Sequence, residues 1–262
     1  MNDAVDLGSE YLQYEQRGPV AWVTINRPER RNALTTNMYF GIRRAVDRVN
    51  ASRTLGALVI TGTGDVFAPG GEMGGQHEDG PVNYGELLGT AALPFDAIRE
   101  SRKPVIASVN GLCMGGGLLI TMLSDVAIAS ERAVFGAPEL LRGVADAYHA
   151  AILPEHVGIA VARDMLFTRP RLDASEAERF GLVARVVPHE QLTAATDDVV
   201  RDILRAAPRA RVALKRLINA RYGVIDKITF DESLSGDEVI EGFQAFVEKR
   251  DPAWIPNVAG KH

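Results

Sequence analysis

Three short apolar runs constrain this chain most. They are ALVITG (Ala57 to Gly62), PVIASVNG (Pro104 to Gly111) and DVAIAS (Asp125 to Ser130). Each is short, rich in β-branched residues and bounded by glycine, asparagine or a charge, which predicts buried strands. Between them lie segments of helical period, over about Tyr84 to Glu100 and from the glycine run at Gly115 to Leu123. Strands that alternate with helices at this spacing predict an α/β layer structure with mostly parallel strands. Ahead of them, Tyr14 to Gly18 and VAWVTIN (Val20 to Asn26) read as a hairpin. Thr36 to Ser52 reads as a helix with Met38, Ile42, Ala45, Val46 and Val49 on its apolar face. Asp173 with Glu176 makes a capping box, Gly181 ends that helix and Leu182 to Val187 is the last strand; from Glu190 onward the pattern is helical.

The 262 residues carry 24% charged side chains and a formal net charge of -5. That balance speaks against a general affinity for nucleic acid or an anionic membrane. No apolar run reaches the roughly 18 residues a membrane span needs, and the first 20 residues show no secretory pattern. With one cysteine, Cys113, which reads as a small core residue, a cytoplasmic protein is expected.

Two glycine clusters follow buried strands: FAPGGEM (Phe67 to Met73) and MGGG (Met114 to Gly117). Glycines at a helix start disfavour it by up to about 1 kcal/mol each relative to alanine, so some gain must offset them. Close approach of a ligand to bare N–H groups is such a gain. In the first cluster Pro69 has no N–H, which leaves Gly70 and Gly71 as donors. Donors from two clusters converging on one oxygen would form an oxyanion hole.

At this point the chain resembles the crotonase superfamily of enoyl-CoA hydratases and isomerases. The matching stretches are INRPERRNAL, VITGTGDVFAPGGEM, KPVIASVNGLCMGGGL, SDVAIASERAVFGAPEL and FVEKR, in family order across nearly the whole chain. The resemblance implies an α/β fold, a crotonase-like spiral of β-β-α units over residues 1–190 with a helical C-terminal trimerisation region over 191–262. It implies a homotrimer or a dimer of trimers, and an acyl-CoA thioester whose oxygen rests between the N–H groups of Gly71 and Gly116. Backbone around Ala68, Gly70 and Met73, with Arg30 and Arg31 of the RPERRNAL turn, would hold the CoA moiety. Phe246 and Lys249 would reach toward a neighbour's CoA. No metal and no cofactor beyond the substrate's own coenzyme A is implied.

Glu139, in FGAPEL, matches the family's proton-exchanging glutamate, although after Pro138 it also suits an ordinary helix start. Leu119 stands where true hydratases carry a second glutamate. Hydration is easiest with two carboxyl groups, whereas one can shuttle a proton for isomerisation. Apolar neighbours Leu119, Ile120 and Leu140 should raise the Glu139 pKa. Beyond it the chain departs from the family's glycine-rich turn and reads GVADAYHAAILPEHVG. Asp146, Tyr148 and His149 are therefore candidates for a substitute base or hydroxyl donor, with His149 reading equally well as an ordinary helix residue. QHEDG (Gln76 to Gly80) is a further polar cluster. Isomerisation or hydration of an enoyl-CoA is expected; hydrolysis, C–C cleavage and non-catalytic acyl-CoA binding remain alternatives. The apolar residues Val212, Leu214, Leu217, Ile218, Ile228, Leu234, Ile240, Phe243 and Phe246 are expected to seal a subunit interface.

Overall fold

The computed structural model describes residues 5–72, 94–168 and 170–255. The N-terminal hairpin forms as the alternation dictates, with β1 (Leu12–Arg17) antiparallel to β2 (Val20–Ile25). Helix α1 (Thr36–Ala51) starts at Thr35, whose side chain accepts from Met38 N, and buries Met38, Ile42, Ala45, Val46 and Val49. From there the chain spirals. Strand β3 (Ala57–Gly62) is followed by β4 (Val66–Ala68) and, after the undescribed stretch, by α2 (Pro94–Glu100). The next turn is β5 (Val105–Val109), β6 (Leu112–Met114) and α3 (Gly116–Leu123). The third begins with β7 (Val126–Ser130) and β8 (Val134–Gly136), then a 3-10 turn Glu139–Arg142. It continues through α4 (Ala147–Val157), α5 (Ile159–Phe167), β9 (Leu172–Asp173), α6 (Ala174–Phe180) and β10 (Arg185–Val187). Helices α7 (Leu192–Arg205), α8 (Pro208–Asn219), α9 (Lys227–Ser235) and α10 (Asp237–Glu248) complete it.

Each spiral turn gives one strand to each of two sheets. Among the described residues the larger has the order β1-β2-β3-β5-β7-β10, and the smaller β4-β6-β8-β9. Apart from the β1–β2 and β8–β9 pairs, neighbours are parallel. Central strands are apolar on both faces because both are covered. The main core fills one side; on the other, Trp22, Val59, Ile106 and Ile128 pack against Leu192, Val199 and Val200 of α7. Helix α3 has no polar face at all, and Leu118, Leu119, Ile120, Met122 and Leu123 are all buried. Asn110 stitches the sheets together: its Oδ1 accepts from Gly62 N, and its Nδ2 donates to the carbonyls of Gly64 and Val66.

Two boundaries differ from expectation. The last strand begins at Arg185 rather than Leu182, because Leu182 N and Val183 N both return to the carbonyl of Ala177 and close the end of α6. Of the helix expected over Tyr84 to Glu100, Pro94–Glu100 forms; the rest, like QHEDG and Met73, lies outside the described residues. No described helix is long and apolar enough to cross a membrane.

The turn after β2 is anchored by a buried ion pair. Arg27 donates through both terminal nitrogens to the Glu72 carboxylate, at 2.9 and 3.3 Å, and is 3% exposed. Replacing one member leaves its partner's charge buried, which typically costs about 3 kcal/mol or more. Arg27→Met should therefore lower the unfolding free energy by about that much in urea titration. A loss below about 1 kcal/mol, the range of a surface pair, would show that the pair is dispensable.

Candidate active site

The site is assembled where the two sheets' connections meet. Leu34 forms a parallel bridge with Gly71: Leu34 N donates to Gly70 O and Glu72 N donates to Leu34 O, both at 2.9 Å. With both flanking residues turned to Leu34, the N–H of Gly71 itself points the other way. The turn behind is held by Arg27 on Glu72 and by Asn32, which accepts from Arg27 N and donates to Val66 O.

The second glycine cluster abuts the first. Gly115 (φ 53°, ψ -124°) precedes α3, and Gly116 is its first helical residue, so the Gly116 N–H has no acceptor within the helix. A Cβ on Gly70 would lie 3.4 Å from Gly116 N, and one on Gly115 would lie 3.5 Å from the Gly70 Cα and 2.7 Å from Glu139 Oε1. The Tyr39 hydroxyl of α1 occupies the space where a Gly116 Cβ would fall. Gly117 packs on the carbonyl of Ala68, which is fully buried in β4.

A pocket of about 130 Å³ opens over these glycines. Gly70, Gly71, Gly115 and Gly116 form one wall, Glu139, Arg142 and Asp146 another, and Tyr39, Phe95, Leu119, Val144, Phe230, Leu234 and Phe243 supply an apolar lining. Leu119 thus does face the pocket, as an apolar surface. Leu234 and Phe243, expected at a subunit interface, come from α9 and α10 and wall the pocket of their own chain. Sequence reading missed this because helical period marks an apolar face and does not say what it covers.

Glu139 opens the 3-10 turn, and its Oε2 is buried. Leu140, expected among the groups that bury it, is 39% exposed. The charged neighbours come from the next element. Asp146 caps α4, its Oδ1 accepting from His149 N at 3.0 Å, and its Oδ2 lies 3.0 Å from His149 Nδ1. His149 is fully buried. At that distance His149 and Asp146 attract one another both by charge and by a side-chain hydrogen bond. Atoms of Glu139, Asp146 and His149 lie within 4.8 Å of one another. Those residue types can hold a metal in other settings; here the imidazole lies beside the Asp146 carboxylate and near Glu139, the arrangement of an acid–base cluster. Burial raises the Glu139 pKa; His149 and Arg142 act against that rise, and Asp146 adds to it. Burial alone would lower the His149 pKa, but the Glu139 and Asp146 carboxylates outweigh it and raise it to about 9.

Other candidates fall elsewhere. Tyr148 is buried behind the pocket between the rings of Phe95 and Phe230, so it is a core aromatic rather than a hydroxyl donor to the pocket. Arg30 and Arg31 are exposed beside the buried Arg27 and Asn32, so much of the RPERRNAL turn serves the Gly70–Gly71 segment. Phe246 stacks under the Arg142 guanidinium of its own chain, 4.0 Å from ring centroid to Cζ, and Lys249 ends α10 with φ 54°. Cys113 is buried, with its thiol pushed up to about 12 by burial, and is inert.

Comparison with known proteins agrees with this architecture. The family model described as enoyl-CoA hydratase/isomerase matches residues 15–257. Mevalonyl-coenzyme A hydratase of Aspergillus fumigatus is 35% identical, with 90% of this chain and 91% of that protein aligned. Carnitinyl-CoA dehydratase of Citrobacter koseri is 31% identical, over 94% of this chain and 98% of that one. Among solved structures, an enoyl-CoA hydratase/isomerase from Pseudoalteromonas atlantica superposes with a TM-score of 0.81 at 30% identity, covering 93% of this chain and 99% of the other. The chain belongs to the enoyl-CoA hydratase/isomerase family, the crotonase superfamily, and has its fold. It is an acyl-CoA enzyme of that family.

The glycine contact is open to direct test. Gly115→Ala puts a Cβ at positive φ and against the Glu139 carboxylate, so acyl-CoA affinity by calorimetry should fall at least about tenfold, with about 1 kcal/mol or more of stability lost. Unchanged affinity would mean that the two glycine segments need not touch.

Proposed function

We propose that the protein adds water across the double bond of an enoyl-CoA, or removes it from the corresponding 3-hydroxyacyl-CoA. The observation that carries this reading is that two carboxyl groups, Glu139 and Asp146, line one pocket beside Gly71 and Gly116. The thioester oxygen rests between the N–H groups of Gly71 and Gly116, where negative charge grows as the enolate forms. Asp146 takes a proton from water as its oxygen bonds to the β-carbon, and Glu139, whose raised pKa favours the neutral carboxyl, delivers a proton to the α-carbon. Water's two hydrogens are thus accounted for. Asp146 replaces the glutamate that Leu119 lacks. The relatives named hydratase and dehydratase support this direction.

The coenzyme A moiety is held, in this reading, by backbone near Ala68 and Gly70, by Met73 and by Arg30. Phe246 and Lys249 stand at the far end of α10 for a neighbour in a trimer or dimer of trimers. Leu214, Leu217, Ile218, Ile228 and Ile240, all at least half exposed in the single chain, supply the apolar surface for that assembly.

A second reading has one observation in its favour. Leu119 leaves the α3 side of the pocket without a carboxyl group, which suits proton transfer by Glu139 alone and hence double-bond isomerisation.

Absorbance of the conjugated enoyl thioester separates the two. Crotonyl-CoA should lose it on hydration, whereas its gain from a 3-enoyl-CoA with crotonyl-CoA untouched would show isomerisation. Silence on both would leave hydrolysis, C–C cleavage or binding alone. Glu139→Gln and Asp146→Asn should each reduce hydration by roughly 10²-fold or more, with CoA-ester affinity little changed. If Asp146→Asn kept the parent rate, Asp146 would not be the base. Separately, Leu217→Glu with Ile218→Glu should reduce the sedimenting species to a single chain, and an unchanged mass would place the interface elsewhere.

A further inference from the structure

Hydration by two carboxyl groups raises an electrostatic problem that the pocket's own groups address. Before the step Asp146 is ionised and Glu139 carries a proton; after it Asp146 is protonated and Glu139 ionised. One negative charge has moved across a largely apolar pocket. At low effective dielectric, a charge that leaves its counter-ion behind is strongly penalised.

From the geometry we infer that His149 is a positioning residue that stays an imidazolium throughout and serves as the shared counter-ion of Glu139 and Asp146. It holds the site's net charge constant while the negative charge passes from one carboxylate to the other. This rests on the hydration reading above. His149 is fully buried and does not line the pocket, so it is not placed to touch substrate. Its Nδ1 is 3.0 Å from Asp146 Oδ2, and atoms of all three residues lie within 4.8 Å of one another. Asp146 meets the pocket and exchanges its proton with solvent after product leaves.

The other charged groups around α4 leave this role to His149. Helix α3, packed on α4, has no charged residue. Arg142, on the 3-10 turn, lines the pocket and acts on Glu139. Asp96 of α2 and Lys227 of α9 pair with each other on the far side of Tyr148. Arg163 and Asp164 of α5 are exposed, and Arg221 pairs with Glu155. His156, further along α4, contacts Tyr222. The raised pKa of His149 agrees with a cation beside the Asp146 carboxylate that the Glu139 carboxylate joins once it ionises.

The test is 15N NMR of the histidine ring in the full-length protein, without substrate, combined with pH–rate profiles for crotonyl-CoA hydration. At pH 7.5 both ring nitrogens of His149 should be protonated. Once Glu139 has lost its proton, above the descending limb of the rate profile, the ring faces two carboxylates, so Glu139→Gln and Asp146→Asn should each lower its deprotonation midpoint by about one pH unit or more. A neutral ring at pH 7.5, or a midpoint that responds to Asp146→Asn alone, overturns the shared counter-ion. In kinetics, removing a cation disfavours the ionised form of the Glu139 carboxyl group. The descending limb, where Glu139 loses its proton, should therefore move to higher pH in His149→Gln, by about one unit. A uniform loss of rate with an unmoved descending limb marks His149 as a packing residue and also overturns the inference. If His149→Gln fails to fold, the two carboxyl variants still decide the question by NMR. Failure of the wild type to hydrate crotonyl-CoA while the ring is an imidazolium refutes the hydratase reading on its own.

Discussion

The site depends on one contact between backbones. Gly70 and the Gly115–Gly116 pair approach so closely that an added Cβ on Gly70 would meet Gly116 N at 3.4 Å. Two segments about 45 residues apart in the chain can converge this way only if each is held from behind. On one side Leu34 grips both neighbours of Gly71, while Arg27 and Asn32 fasten the turn to Glu72 and Val66. On the other, Gly115 N donates to Gly136 O, and α3 is buried on every face. The rigidity of this contact is supplied by the sheets and not by the glycines themselves. The glycines only leave room.

That arrangement explains which parts of the structure were legible in the sequence. The strands at Ala57, Val105 and Val126 and helix α1 follow from local periodicity, and the capping box at Asp173 with Glu176 forms as its spacing implies. The family was legible too, because its motifs are long and ordered along the chain. Long-range partners were not. Arg27 carries no mark distinguishing it from Arg30, yet one is 3% exposed in an ion pair and the other is on the surface. Phe243 and Leu234 looked like interface residues because the helices bearing them have exposed apolar neighbours; their place in the pocket is decided by how α9 and α10 fold back over Glu139.

The acid–base cluster was half legible. Asp146 and His149, three residues apart, are a helix N-cap and a residue of its first turn, and their meeting could be expected from spacing once α4 begins at Ala147. The meeting of that pair with Glu139 depends on the turn between them. The Glu139–Arg142 turn ends at Gly143 with φ 70°, where a Cβ would collide with the backbone of Glu238 on α10. The same C-terminal helix that walls the pocket therefore requires the glycine whose left-handed conformation turns the chain from Glu139 toward α4. Pocket lining and carboxyl placement are set by one packing event.

Under the proposed hydration, this coupling bears on why the second carboxyl group sits at the start of α4 and not on α3. A carboxylate at position 119 would stand on a helix with no charged residue of its own, against the apolar lining of the pocket and in the same pocket as Glu139, whose like charge would oppose its ionisation. At position 146 the carboxylate sits at a helix N-terminus, accepts from a backbone N–H and faces an imidazole. The second location supplies its own solvation, and it leaves α3 free to be a uniformly apolar wall. Leu119 and the Asp146–His149 pair are then two sides of one solution: the apolar surface moves to α3, and the charge moves to the place where the fold already presents N–H groups to receive it.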